Sequence, residues 1–182
     1  MNSYEQDKLD TLGLGQPKRF ITDHDAQGRS IFSNAFTEEV PSTPKPGAVV
    51  HDVFVSTQTP AQMNNGEDLK AMADLPPVEG ISRPGATTMR FVDFLPGLPA
   101  IMHRTHTIDF GVVISGELEL ILDSGEKRML KPGDTVVQRG TNHAWRNPDP
   151  RKTTRCLFVM APCEPLIVNG TQLGESFEHP QN

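Results

Sequence analysis

Proline and glycine interrupt this chain so often that long helices cannot dominate its fold. Its 182 residues include 16 Pro and 15 Gly, and an apolar period of 3.6 residues persists for three turns almost nowhere. Short apolar runs lie between these breaks, and such runs are typical of strands. The pattern therefore predicts a mostly β chain.

Beyond Pro84, eight short strand-like segments follow one another closely. They are TTMRFVDF, AIMHRTH, FGVVIS, ELELILD, KRML, DTVVQ, HAWRN and TRCLFVMA. Turn residues at Ser124-Gly125-Glu126 and at Pro132-Gly133 separate three of them, because proline fixes its own φ and glycine accepts a positive φ. The turns predict antiparallel hairpins, and this number of short strands is typical of a sandwich or barrel.

The first part of the chain carries weaker signals. Residues 19–22 and 29–32 flank a turn-rich segment as the strands of a short hairpin do. Residues 49–55 alternate as a half-buried strand does. One helix is predicted over residues 67–75, and Pro76-Pro77 ends it because proline cannot continue the helical hydrogen bonds.

The length of the chain predicts one domain. A protein of 182 residues has room for one well-buried core and appended segments. We expect an N-terminal arm, strands and a connector over residues 1–83, a barrel core over residues 84–168, and a polar tail over residues 169–182.

Charge and hydropathy argue against two classes of partner, nucleic acids and membranes. A formal net charge of −6 repels a phosphate backbone, so we expect no nucleic-acid partner. No apolar run approaches the roughly 18 residues that span a bilayer, and the start of the chain lacks signal-peptide features. These observations predict a cytoplasmic protein with no membrane partner. Cys156 and Cys163 are expected to be buried, reduced thiols.

Two histidine-containing segments, HRTHTIDFG and GTNHAWRN, carry the residue types of a metal site. Alternate residues of a strand share one face, so Asp109 lies on the face of His103. His143 in the second segment would complete a set of two imidazoles and one carboxylate. Such a set is typical of a divalent ion that keeps open positions for water or substrate. The spacing therefore predicts that the three side chains meet at one metal.

Strand parity points His106 away from that site. A bulge or loop between residues 104 and 108 would change the parity, because one extra residue re-aims every side chain that follows. His106 is therefore the reserve ligand, and a pocket without metal is the third possibility. The segments around His24, His51 and His179 show no such pattern, and we expect these three histidines at the surface.

Three further residues are candidates for contact with a substrate. Trp145 shares the face of His143 and should form an apolar wall beside it. Gln138 is a candidate neutral hydrogen-bond donor to the pocket, or else the cap of a strand end. Arg90 would bind a carboxylate through two parallel hydrogen bonds if it faces inward. The sequence does not decide whether the inward set is Arg90, Val92 and Phe94 or Met89, Phe91 and Asp93.

These two segments resemble the paired motifs of the cupin superfamily. The residues that fall on the motif spacing are Gly97, His103, Asp109 and Gly116 in the first motif and Gly140, His143 and Asn147 in the second. The chain departs from the motifs at four points. Asp109 replaces a glutamate, Thr105 stands where a second histidine is usual, Gln138 replaces a proline, and the leading glycine of the second motif is displaced by one residue to Gly133.

The chain looks similar to a subset of small single-domain cupins associated with secondary-metabolism and aromatic-degradation genes. The resemblance implies an all-β double-stranded β-helix, the cupin jelly-roll barrel, with an N-terminal arm and at most one or two short helices. It also implies a dimer, and a metal or ligand inside the mouth of the barrel. It does not imply one substrate.

Three functions remain open from the sequence. The first is a metal-dependent Lewis-acid lyase, either a decarboxylase, a dehydratase or an isomerase, that acts on an oxygen-rich, enolisable small molecule. Its cofactor would be a divalent ion: Fe, Zn, Mn or Ni. The second is an Fe(II) oxygenase that uses the same open positions for O₂. The third is a non-catalytic small-molecule binder without metal.

Overall fold

The computed structural model describes residues 14–78, 80–97 and 99–178, and almost all regular structure within them is β. The strands are β1 (Thr22–His24), β2 (Ser30–Phe32), β3 (Thr43–Lys45), β4 (Ala48–Ser56), β5 (Thr87–Phe94), β6 (His103–Arg104), β7 (Thr107–Ser115), β8 (Leu118–Leu122), β9 (Lys127–Leu130), β10 (Thr135–Arg139), β11 (His143–Arg146), β12 (Thr154–Pro162), β13 (Ile167–Val168), β14 (Thr171–Gln172) and β15 (Ser176–Phe177). The predicted all-β class is confirmed.

Two antiparallel sheets form the barrel. One has the strand order β10-β7-β12-β5-β4-β3, and the other has the order β15-β6-β11-β8-β9. Two small hairpins, β1-β2 and β13-β14, lie outside these sheets. Residues of both large sheets line one cavity, as they do in a double-stranded β-helix. The predicted hairpin of the arm is present with Thr22 opposite Phe32.

Burial alternates along the strands that carry the site. In β7, Thr107, Asp109, Gly111 and Val113 are buried, whereas the residues between them are more exposed. This period of two is the pattern of a strand with one face toward a core. It confirms the predicted inward face of Asp109. β6 ends at Arg104 and β7 begins at Thr107, so the strand breaks in the polar run, which was the alternative to continuous parity; Asp109 still faces the cavity.

The predicted helix is present as α1 (Glu67–Ala73). Glu67 and Asp68 lie in its first turn, where their negative charge is favourable beside the N-terminal backbone N–H groups. None of its residues is fully buried. It is the only α-helix within the described ranges, and none there has the length and apolarity needed to cross a bilayer.

Two motif glycines follow strands that carry site residues. Gly116 comes after β7 with φ of 78°, and Gly140 comes after β10 with φ of 59°. A Cβ atom would collide with the side chain of Thr154 at the first position and with that of Leu166 at the second. Both the conformation and the close approach therefore require glycine.

The core lies between the two sheets. Its buried members are Val113, Leu118, Leu130, Trp145, Cys156, Phe158 and Met160. The Trp145 ring packs edge-on against Phe158, with centroids 5.7 Å apart. Cys156 is a buried free thiol, as predicted, and burial together with the charge of Asp93 raises its pKa to about 12. Cys163 is also free but only half-buried.

The N-terminal arm packs on the outer face of the six-stranded sheet. Arg19 donates hydrogen bonds from Nε to the Thr37 carbonyl and from Nη1 to the Val53 carbonyl, both at 3.1 Å. Arg155 on β12 donates from Nη1 to the Gly15 carbonyl at 2.9 Å. These bonds tie the arm to β4 and β12.

A buried ionic cluster lies beneath this arm. Asp93 has no exposed surface and accepts two hydrogen bonds from Arg155, at 2.6 and 2.7 Å. His51 Nε2 lies 3.0 Å from Asp93 Oδ2, which also accepts from Arg155. Ser42 Oγ lies 3.1 Å from His51 Nδ1. The prediction that His51 lies at the surface is therefore wrong, because the arm covers the strand face that carries it. His24 is exposed as expected, and His179 falls outside the described residues.

Burial and hydrogen bonding act in opposite directions on Asp93. Burial by itself raises its pKa, but the hydrogen bonds from Arg155 and His51, together with the Arg155 charge, outweigh that effect. The pKa of Asp93 consequently lies below its usual range, and the carboxylate is ionised at neutral pH.

An apolar row remains exposed on the outer face of β7 and β10. Phe110, Ile114 and Val137 are each about half exposed, at 50%, 47% and 56%. Strand parity predicts that Phe110, Val112 and Ile114 face out of the barrel, covered either by the N-terminal arm or by a partner subunit. The hydrogen bonds of the arm are with β4 and β12. A partner subunit that covers these residues remains a prediction.

Candidate functional site

A cavity of about 620 Å³ opens between the two sheets. β4, β5, β7, β10 and β12 contribute to it from one side, and β6, β11 and β15 contribute from the other. Six of the seven candidate site residues line this cavity: Arg90, His103, Asp109, Gln138, His143 and Trp145. Parity and motif spacing predicted the inward direction of four of these residues, namely His103, Asp109, His143 and Trp145, whereas the directions of Arg90 and Gln138 were left open.

His103 and His143 form the imidazole pair of the site. They are directly opposite each other on β6 and β11, and their ring centroids lie 4.3 Å apart. His103 Nδ1 lies 2.9 Å from the Ile101 carbonyl, and His143 Nδ1 lies 2.9 Å from the Thr141 carbonyl. A carbonyl only accepts, so Nδ1 carries the proton on each ring and Nε2 keeps its lone pair. This second-layer hydrogen bond is the one that metal-ligating histidines usually make.

Both imidazoles are neutral at physiological pH. Burial lowers the pKa of His143 to about 3, and the neighbouring His103 adds to that shift against the opposing bond to Thr141. Burial also lowers the pKa of His103, against the opposing bond to Ile101. The neutral form is the one that binds a metal ion.

Asp109 lies on β7, in the six-stranded sheet, and is only 5% exposed. Burial raises its pKa, while a hydrogen bond from Thr107 and the charge of Arg90 act in the opposite direction. Its Oδ1 atom has no hydrogen-bond partner. Gln138 is directly opposite Asp109 on β10, and its Nε2 atom is also buried without a partner. Both residues line the cavity, and each has one buried polar atom without a hydrogen-bond partner.

The donor set fits a divalent metal through its two histidines. Each offers a neutral imidazole with a free Nε2 lone pair, and the pair is close enough to share an ion. However, within the described ranges no three His, Cys, Asp or Glu side chains are grouped to hold a metal ion. The expected convergence of Asp109 with the two imidazoles is therefore not met, because a shared strand face sets direction and not distance.

Arg90 faces inward, which decides between the two sets that the sequence left open. Val92 and Phe94 line the cavity with it, whereas Asp93 lies beneath the arm on the opposite face. Its Nε lies 2.9 Å from Asp52 Oδ1, and its Nη1 donates to the Ile81 carbonyl at 2.7 Å. Nε and Nη2 are nevertheless buried without a hydrogen-bond partner, so the expected contact with a substrate carboxylate stays a prediction.

Trp145 forms the predicted wall beside the histidines. Its ring lies edge-on to His143, with centroids 6.1 Å apart and planes at 77°. Phe94 packs against it from the other side at 6.1 Å. The imidazole pair is therefore bordered by aromatic surface on the side of Trp145.

His106 is absent from the cavity lining. Its Nε2 lies 3.1 Å from the Leu173 carbonyl in the C-terminal segment. His106, the reserve ligand, is thus directed away from the site, as strand parity predicted. It contacts the C-terminal segment instead. Thr105, which stands where the second motif histidine is usual, faces the cavity.

The C-terminal segment closes part of the cavity, which the sequence did not predict. In β15, Ser176 pairs with Arg104 and Phe177 pairs with His103. Glu175 and both residues of β15 line the cavity. The segment expected to be a polar tail therefore supplies part of the wall. A strand of two residues gives no periodic signal, and Phe177 is the only apolar residue in GESFEHP.

Several known proteins are similar in sequence to this chain over most of its length. A cupin domain model matches residues 90–160. The chain is 43% identical over 165 residues to phomopsin biosynthesis cluster protein C' of Diaporthe leptostromiformis, which covers 88% of this chain and 86% of the relative. It is 41% identical over 166 residues to oryzines biosynthesis cluster protein J of Aspergillus oryzae, with coverage of 88% and 91%.

The name of a third relative states a class of enzyme. The chain is 37% identical over 162 residues to a cupin-domain-containing oxidoreductase of Neurospora crassa, which covers 88% of this chain and 81% of the relative. Together with the jelly-roll architecture, these matches show that the chain belongs to the cupin family. The resemblance drawn from the motifs around His103 and His143 is confirmed.

Proposed function

We propose that this cupin is a metal-dependent small-molecule enzyme of secondary metabolism whose barrel cavity is the active site. The observation that carries the proposal is the pair His103 and His143, with both Nδ1 atoms engaged by backbone carbonyls and both Nε2 atoms free. A divalent ion held there would supply Lewis-acid chemistry that polarises a substrate carbonyl.

The chain's own residues supply binding and orientation. Trp145 and Phe94 present apolar surface beside the histidines and exclude water from that side. The backbone carbonyls of Ile101 and Thr141 fix the imidazole orientations. Gln138 offers a neutral donor from the facing strand. This arrangement suits decarboxylation, dehydration or isomerisation of an enolisable compound, and decarboxylation is the reaction we test.

An oxidoreductase is the second candidate. The observation that favours it is the name of the Neurospora crassa relative. An Fe(II) ion on the same histidines would allow reaction with O₂, whereas Zn²⁺ would not. The identity of the active metal therefore separates the two candidates.

Turnover of benzoylacetate tests both candidates in one experiment, because this β-keto acid combines an enolisable carbonyl with an apolar ring. We expect the Zn²⁺-loaded protein to accelerate CO₂ release without oxygen, and His143→Ala to lose that acceleration. The matched control is His24→Ala, which removes an exposed histidine far from the motifs. Oxygen uptake by the Fe²⁺ form, with no CO₂ release by the Zn²⁺ form, would favour the oxidoreductase. Equal rates in wild type and His143→Ala would contradict an active site at the histidines.

A further inference from the structure

We propose that the substrate of this cavity carries a carboxylate, and that Arg90 and Gln138 bind it. This inference rests on the proposed function, because it names the class of compound that the same cavity takes. Its starting point is a pair of buried donor atoms that face the cavity without a partner.

Arg90 is held in place but keeps donor atoms for a ligand. Its Nε lies 2.9 Å from Asp52 Oδ1 as an ion pair, and its Nη1 donates to the Ile81 carbonyl. The residue is only 5% exposed, and both Nε and Nη2 are buried without a hydrogen-bond partner. A buried, unsatisfied donor on a charged group is costly, and a ligand oxygen would remove that cost.

Gln138 supplies the second donor. It is 4% exposed and its Nε2 is buried without a partner. Asp109 lies directly opposite Gln138 in the sheet. Arg90, Asp109 and Gln138 all belong to the six-stranded sheet and line the same cavity.

Both basic and acidic residues line the cavity. Lys45 and Arg104 line it in addition to Arg90, whereas Asp109 and Glu175 are its acidic residues. Arg90 is ion-paired with Asp52, and Arg104 Nη2 lies 3.9 Å from Asp123 Oδ2. Ser82 Oγ lies 2.9 Å from the Glu175 carboxylate and donates to it. The proposed preference for a carboxylate therefore rests on the unpartnered donors of Arg90 and Gln138 and not on an overall positive charge of the cavity.

The remaining walls define the rest of the ligand. The apolar side chains around the cavity are Ile81, Val92, Phe94, Trp145, Phe158 and Met160. A compact hydrocarbon ring would bury its surface against them. The combination indicates a cyclic carboxylate, because guanidinium and amide N–H groups can donate to the two oxygens of a carboxylate while the apolar walls cover the ring.

Binding of cyclohexanecarboxylate, compared with its neutral isostere cyclohexanecarboxamide, tests the inference. The full chain is titrated in EDTA, so that no metal can bind the carboxylate. Trp145 is the only tryptophan and lines the cavity, so its fluorescence reports binding without a label. We expect the carboxylate to bind at least about tenfold more tightly than the amide.

Substitutions test whether Arg90 and Gln138 cause the preference for the carboxylate over the amide. Arg90→Met and Gln138→Leu should each reduce the preference for the carboxylate. The matched control is Arg146→Met, since Arg146 pairs with Glu119 outside the cavity and is half exposed. Its preference should equal that of wild type.

The outcomes separate this inference from the proposed function. Equal binding of carboxylate and amide by wild type would overturn the inference, whether or not the Arg90 variant folds. A preference that appears only after Zn²⁺ loading and survives Arg90→Met would also overturn it, while leaving the histidine site intact. A preference in EDTA combined with no metal binding would support the carboxylate site and overturn the metal proposal.

Discussion

Replacing Asp93 with asparagine is expected to lower the free energy of unfolding by about 3–5 kcal/mol. Asp93 is fully buried and is the carboxylate partner of Arg155, which also ties the N-terminal arm to β12 through Gly15. The substitution keeps the shape of the side chain but leaves the buried guanidinium without its counter-charge. Urea unfolding at pH 7, followed by circular dichroism, measures the change.

Glu119→Gln is the matched control for this substitution. Glu119 also pairs with an arginine, Arg146, but that guanidinium is half exposed. We expect its replacement to cost no more than about 1 kcal/mol. A loss in Asp93→Asn as small as that in Glu119→Gln would contradict the structural role given to the buried cluster.

The pH dependence of stability provides a second test at Asp93. Its pKa is depressed in the folded protein and is about 3.9 in an unfolded chain. The stabilisation from its charge is therefore complete above about pH 4 and is lost as the pH falls through the folded-state pKa. The difference in stability between wild type and Asp93→Asn should narrow on acidification below about pH 4. A difference that stays constant down to pH 2.5 would show that ionisation of Asp93 contributes nothing.

The second large effect concerns metal affinity. We expect His103→Ala and His143→Ala each to weaken Zn²⁺ binding at least a hundredfold, because loss of a ligand exceeds the 10–100-fold cost of losing an outer hydrogen bond. Calorimetric titration at pH 7.5 measures this. The surface variant His24→Ala should bind as wild type does, and affinities within threefold of wild type in both cavity variants would contradict a histidine metal site.

The alternation of side chains between the two faces of a strand, together with the motif spacing, explains why the inward direction of several site residues could be predicted from sequence. Asp109 lies on β7, whose burial alternates clearly, so its inward direction followed from that alternation. The strands of His103 and His143 are too short to show alternation, and these two residues were identified by their motif spacing. The separation of the three side chains could not be predicted, since it depends on how two sheets curve toward each other. This is why both imidazoles meet as expected while Asp109 is not grouped with them.

Other parts of the fold depend on contacts between distant segments. His51 and Asp93 lie on outer strand faces that the arm buries, and nothing local to either residue indicates that cover. The choice between the two faces of β5 was open because both are buried. The face of Arg90 is turned to the cavity, and the face of Asp93 lies beneath the N-terminal arm. β15 pairs with β6 across more than seventy residues of sequence, and a strand that short carries no periodic signal.

Anomalous diffraction from crystals grown with Mn²⁺ or Zn²⁺ tests the central claim most directly, because it locates the ion without reference to activity. The account predicts one strong peak in the barrel cavity, roughly 2.0–2.2 Å from Nε2 of both His103 and His143. Peaks only at the molecular surface, with the cavity empty at saturating metal, would contradict it.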